Sequence, residues 1–175
     1  TSSQFSKSPI SAVDSARIEA ENIIRERYPR LWVARYLFRS REGSRFDFSN
    51  RHFLVDIYKD KSQYIVIQKA SQVGITECML AEMYAMAGGG CNGMYVLPTN
   101  MTVYDFTPRR IDIVLSQSPD LRSYLGVKEA KHSDTKSQKT FCGKDWSIVG
   151  SNAVTNFYEK PVDCIIIDEL DKCNV

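Results

Sequence analysis

Residues 64–87 constrain the fold most. Tyr64, Ile65, Val66 and Ile67 form a short apolar run with β-branched side chains, which predicts a buried strand over residues 64–68. A loop of small and polar residues comes next, and from Cys78 to Ala87 the apolar positions take a helical pattern. Strand, loop and helix in this order can hold an anion. Backbone N–H groups of the loop and first helical turn converge on one point, where the helix dipole favours negative charge. The common phosphate loop reads G-x-x-x-x-G-K-[ST]. Here Gly74 is the second glycine and Thr76 the hydroxyl, but Ile75 takes the lysine position and Lys69 the first-glycine position. The one lysine therefore stands at the other end of the loop, from which its long side chain can reach the β- and γ-phosphates. A strand-to-helix turn with one Gly and one Thr is also a common structural feature, so the loop is no signature alone.

A second apolar stretch, residues 162–167, ends in two carboxylates, Asp168 and Glu169. Paired acids at the end of a buried strand are costly unless water, metal or a cation meets them. In a parallel sheet the carboxyl ends of the strands bind ligand, which would bring this pair near Lys69 and Thr76. Asp168 would then hold Mg²⁺ with Thr76, and Glu169 would orient and deprotonate the attacking water. Neighbours on a strand point to opposite sides, so the two acids divide these tasks. The competing reading is a solvated strand end.

Gln68, Lys69, Ala70, Ser71, Gln72, Val73, Gly74, Ile75, Thr76 and Glu77 resemble the variant phosphate loop of the large terminase subunit of tailed bacteriophages. In one branch of that family the lysine also opens the loop. Residues 54–58, 94–99 and 149–152 are similar to further stretches of it, and residues 163–170 resemble its second nucleotide motif. The likeness spans about residues 45–172. It implies an α/β fold, a three-layer P-loop sandwich with a mostly parallel sheet, preceded by N-terminal helices. It implies ATP and Mg²⁺ as cofactors, with residues 69–77 as the nucleotide-binding loop. Arg51 and Tyr58 carry over loosely as adenine contacts, although Tyr58 suits a packing role equally. The implied activity is ATP hydrolysis that drives double-stranded DNA into a procapsid. The implied partners are DNA, the portal protein and the small terminase subunit, around a ring-forming homo-oligomer in the host cytoplasm. Family members continue with a coupling motif and a nuclease domain, so a truncated ATPase domain without the nuclease is expected here.

Such motors use an arginine to stabilise the transition state. Residues 69–76 contain none, which leaves Arg109 and Arg110, after Pro108, as candidates acting on a neighbouring subunit or as plain surface charges. Two other readings compete with the terminase. A DExx helicase-like ATPase shares the loop and the Asp-Glu pair, but helicases keep lysine beside the second glycine, where this chain has Ile75. A non-catalytic nucleotide-fold docking module is the third.

With 175 residues, 43% hydrophobic and 25% charged, the chain can form one domain with a real core. A net charge of +2 neither demands nor excludes nucleic acid. Five cysteines without a C-x-x-C pair, and only two histidines, argue against a zinc site. No apolar run has membrane-spanning length and no signal peptide opens the chain, so a reducing cytoplasm is expected.

Three segments are expected: a flexible arm over 1–10, a helical segment over 11–44, and the ATPase domain over 45–175. Ser11 with Asp14 predicts a helix to about residue 28, stopped by Pro29, then a shorter one over 29–38. Arginines and aromatics interleave over residues 25–51; this could contact nucleic acid, but inward-packing aromatics on a solvated face explain it better. Asn50 predicts a helix cap before residues 51–58. A strand over 93–97 and a helix over 101–116, kinked at Pro108, come after the loop helix. A short helix to 125, a polar lysine-rich loop over 128–138, and a hairpin over 140–149 turning at 143–145 precede the acidic strand.

Overall fold

The computed structural model describes residues 11–70, 72–127, 135–152, 154–158 and 160–173. The expected N-terminal arm, Ser71 and most of the lysine-rich loop (Lys128 and Lys131 among it) lie outside these residues. The chain is a mixed α/β fold whose four-stranded sheet has the order β2-β3-β1-β4. The strands are β1 (Gly93–Leu97), β2 (Gln138–Phe141), β3 (Lys144–Gly150) and β4 (Cys164–Ile167). β1 runs parallel to both β3 and β4, and β2 closes one edge as an antiparallel hairpin with β3. The hairpin turns at Cys142 and Gly143, one position earlier than expected. Both have positive φ, 50° and 74°, as a two-residue turn that follows the strand twist requires.

The helices are α1 (Ala12–Arg27), α2 (Pro29–Trp32), α3 (Phe53–Lys59), α4 (Ile75–Gly88), α5 (Asn100–Phe106), α6 (Ile113–Gln117) and α7 (Pro119–Tyr124). Ser11 caps α1 by accepting from the Asp14 amide, as expected. Asn50 does not cap α3: the helix starts at Phe53, behind His52, with no side-chain cap. Between α5 and α6 the chain does not break at Pro108. It continues through a π-turn, Thr107–Asp112. Proline donates no N–H, and a wider turn accommodates that missing bond. No helix among the described residues is long and apolar enough to cross a membrane.

β1 is buried along its whole length, and its side chains alternate between two clusters. Tyr95 and Leu97 join Trp146, Ile148 and Ile166 in the main core, under α4 and the buried aromatics Trp32, Phe38 and Tyr58. Met94 and Val96 face the other way into a smaller cluster with Val149. At the carboxyl end the loops interlock. The Ser151 amide donates to the Leu97 carbonyl, its hydroxyl to the Pro98 carbonyl, and the Asn100 amide to Asn152 Oδ1. A Cβ on Gly150 would lie 2.2 Å from the Asn100 nitrogen, so this approach of two backbones needs glycine. Residues 94–99 and 149–152, two stretches that carry the terminase likeness, are thus neighbours.

The strand expected over residues 64–68 is not formed. These residues join no ladder, and Tyr64 is 83% and Val66 90% exposed. β4 is the edge of the sheet on that side. An apolar groove lined by Ile65, Ile67, Cys78, Met79 and Ile165–Ile167 lies between it and the segment. A segment becomes a strand only with a neighbour about 4.8 Å away, and this one has none among the described residues.

Candidate functional site

The loop before α4 folds as its glycine requires. Gly74 has φ 88° and is the N-cap of α4, and Gln72 is also left-handed at φ 60°. Positive φ at two positions this close is compatible with an anion nest, in which successive amides converge. No side chain caps α4, so its first amides stay available. They face a cavity of about 520 Å³ whose lining includes Arg51, Lys69, residues 72–77 and Arg110. Its wall carries five cationic side chains (Arg41, Arg45, Arg51, Lys69, Arg110) against three carboxylates (Glu42, Asp47, Glu77). The size suits a nucleotide and the charge balance suits an anion.

Asp168 closes the site from the sheet. Its amide donates to the Val96 carbonyl, which holds it just past β4. It is 2% exposed. Thr76 donates its hydroxyl to Asp168 Oδ2 at 3.0 Å, and the buried Tyr95 hydroxyl donates to the same oxygen at 3.3 Å. Oδ1 has no hydrogen-bond partner among the described residues and lies 3.9 Å from the Lys69 ammonium. Burial, then the neighbouring Asp168 carboxylate, push the Tyr95 phenol well above its usual range, so it remains a donor. A buried carboxylate oxygen unpartnered among the described residues, beside a threonine hydroxyl, offers the oxygen ligands a hard divalent cation takes, while the Lys69 ammonium is a charge partner and not a ligand. The residues present therefore fit Mg²⁺.

Lys69, Thr76 and Asp168, expected from the sequence to share a site, meet here, although the first two stand 92 residues and more from the third. Others go elsewhere. Glu169 does not continue the strand; it adopts the left-handed conformation (φ 54°, ψ 47°), and its carboxylate accepts from Lys172 at 3.1 Å. Neither acid is in the cavity wall just described, but Asp168 meets Thr76 and Lys69 of that wall, whereas Glu169 pairs with Lys172. The expectation of two acids on opposite sides of one strand gives way to a sharp turn between them. Tyr58 does not reach the cavity: it is 1% exposed, and its hydroxyl donates to the Cys78 carbonyl. Its packing role is the one the structure displays. Arg51 does line the cavity and passes beside Gly74, 3.5 Å from where a Cβ on that glycine would sit. Arg109 pairs outward with Asp105, one helical turn back, and is largely exposed. Arg110 turns inward to Glu77.

The loop before α4 and the end of β4 thus meet through Thr76, Lys69 and Asp168, and one comparison identifies the family. The family model for the ATPase domain of the phage terminase large subunit gpA matches residues 52–175. The chain belongs to that family. No curated protein and no solved structure matches it. As a terminase ATPase domain it has ATP as its nucleotide and phage DNA packaging as its setting. Three members of this terminase site escape sequence reasoning. Tyr95 sits in the middle of a strand and looks like core. The segment of residues 40–47, which supplies Arg45 and Phe46 to the cavity, reads only as part of a solvated basic face. The pairing of Glu77 with Arg110 has no local signal. A second cavity, lined by Arg17, Arg35, Tyr36, Phe48 and His52, adjoins the first through Arg45, Phe46 and Asp47.

Proposed function

We propose that this chain is the P-loop ATPase motor domain that powers movement of viral double-stranded DNA into a procapsid. The observation that carries this is Asp168, buried, with one oxygen held by Thr76 and the other facing Lys69. The fold is then a three-layer sandwich of the P-loop type. Lys69 binds the β/γ-phosphates, and the amides at the start of α4 cradle them. Thr76 and Asp168 hold Mg²⁺, which neutralises charge on those phosphates. Tyr95 keeps Asp168 in place from below. Glu169 leaves Lys172, orients the attacking water and takes its proton. Ala70 belongs to the loop, and Arg51 lies beside Gly74 at the wall. The family membership supports the wider setting, with portal protein, small terminase subunit and a ring of subunits in the host cytoplasm.

Equilibrium binding of Mg-ATP tests this. Lys69→Ala should remove most of the affinity, because no other lysine among the described residues lines the cavity wall. Glu169→Gln should keep binding and lose hydrolysis in whatever assembly is active. Unchanged binding by Lys69→Ala would refute the loop assignment. Equal loss of binding in Glu169→Gln and Asp168→Asn would refute the division of roles between the two acids.

A further inference from the structure

Glu77 is out of place in an anion site. It lies in the first turn of α4, in the wall of the same cavity as Lys69, where a carboxylate repels phosphate. One of its oxygens, Oε2, is buried without a hydrogen-bond partner. The other, Oε1, accepts from Arg110 at 2.6 Å. The two side chains are 23% and 34% exposed, so the pair is partly screened from water.

The turn that delivers Arg110 is held on both sides. Thr107 donates its hydroxyl to the Lys136 carbonyl at 2.7 Å. Asp112 pairs with the buried Lys139 ammonium at 2.8 Å. The buried Tyr84 hydroxyl donates to the Ile111 carbonyl at 3.3 Å. Neighbouring residues on a helix point roughly 100° apart, and Arg109 and Arg110 accordingly diverge, one to solvent and one to the cavity. A guanidinium has five N–H donors in a fixed fork. One goes to Glu77 Oε1, and the fork can still meet a phosphate from the same position.

Resting on the ATP reading above, we propose that Arg110 contacts the terminal phosphate of the nucleotide bound by its own chain, and that Glu77 is its positioning residue, holding the guanidinium at the cavity before nucleotide arrives. This reverses the sequence expectation that an arginine here serves a neighbouring subunit. The clamped turn and the contact to α4 aim Arg110 at its own loop.

The test is the ratio of ADP to ATP dissociation constants, measured with Mg²⁺ by titration calorimetry on the whole chain. Arg110→Ala should weaken ATP about tenfold or more, as for a lost hydrogen bond between charged groups, and ADP by less than about threefold. Glu77→Gln keeps an acceptor oxygen and should leave the ratio within about twofold of wild type. Glu77→Ala should lower it by about threefold, and the Glu77→Ala, Arg110→Ala double variant should be no worse than Arg110→Ala. Should Arg110→Ala not fold, Arg110→Gln reads the same ratio. An unchanged ratio with only a lower melting temperature would show a purely structural ion pair and overturn the proposal. So would recovered hydrolysis on mixing Arg110→Ala with Glu169→Gln protein, since that requires arginine from one chain to act in another. Lys69→Ala separates the two levels. If it abolishes binding while Arg110→Ala does nothing, this inference alone fails; if it too binds as wild type, the nucleotide reading fails and takes this one with it.

Discussion

Two apolar runs of this chain, residues 64–67 and β1, read alike in sequence and end in opposite surroundings. Every residue of β1 is buried, while Tyr64 is 83% and Val66 90% exposed. The difference lies in neighbours. β1 is paired on both edges and covered on both faces; residues 64–67 face an open groove beside β4. Hydrophobicity makes burial favourable, but burial also needs a surface to meet. The contrast runs through the candidate site. Its inner side, where Asp168 at the sheet end meets Tyr95 of β1 and Thr76 of α4, is fixed by hydrogen bonds. Its lysine arrives from the unpaired segment and stands at 3.9 Å, beyond hydrogen-bond range.

The comparison breaks most directly by truncating one side chain in each run. Leu97→Ala, at a residue 2% exposed, should cost about 2–5 kcal/mol in urea unfolding. Val66→Ala should stay within about 0.5 kcal/mol of wild type. A Val66→Ala loss as large as that of Leu97→Ala would mean that residues 64–67 are packed in solution.

Tyr95→Phe sharpens it at the site. It removes only a hydroxyl, yet strips one of the two hydrogen bonds on Asp168 Oδ2. A bond to a charged acceptor is worth about 1.5 kcal/mol. We expect that much lost stability together with weaker Mg-ATP binding. Full retention of both would show that Thr76 alone positions Asp168.

The smallest effect concerns the groove. Burial raises the Glu82 carboxyl above its usual 4.5, although its partner Arg30 acts the other way. A raised carboxyl means the folded chain binds more protons than the unfolded one between 4.5 and the raised value. Stability from this group is therefore present at low pH and falls as pH climbs through that window. Glu82→Gln should flatten this part of the melting-temperature profile. An unchanged slope would show that water fills the groove and solvates Glu82 as it does an exposed acid.

Much is legible in the residues. Ser11 with Asp14 marks the start of α1, glycines end α4, and the Asp168-Glu169 pair marks a strand end, because caps, periodicity and turns depend on neighbours four or five positions away. The short strand β1 and the hairpin are readable for the same reason. Lys69, Thr76 and Asp168 match as motif residues, and the family likeness rests on them. The fate of residues 64–68 is not legible, since pairing requires a second strand and the local pattern is silent about whether one arrives. Nor is the inward turn of Tyr58, because a tyrosine on a helix face has the same spacing buried or exposed.

Local chemistry along the chain sets where helices and strands can start and stop, which residues carry charge to the loop, and which family they resemble. Folding in three dimensions is what lets Tyr95 support Asp168 from 73 positions away and Arg110 meet Glu77 from 33 positions away. It also decided that Glu169 leaves the strand in a left-handed turn while Asp168 stays buried. The physical reason is one of range. Backbone geometry and capping are settled by bonds within a turn or two, whereas a buried charge finds its partners wherever packed surfaces bring them.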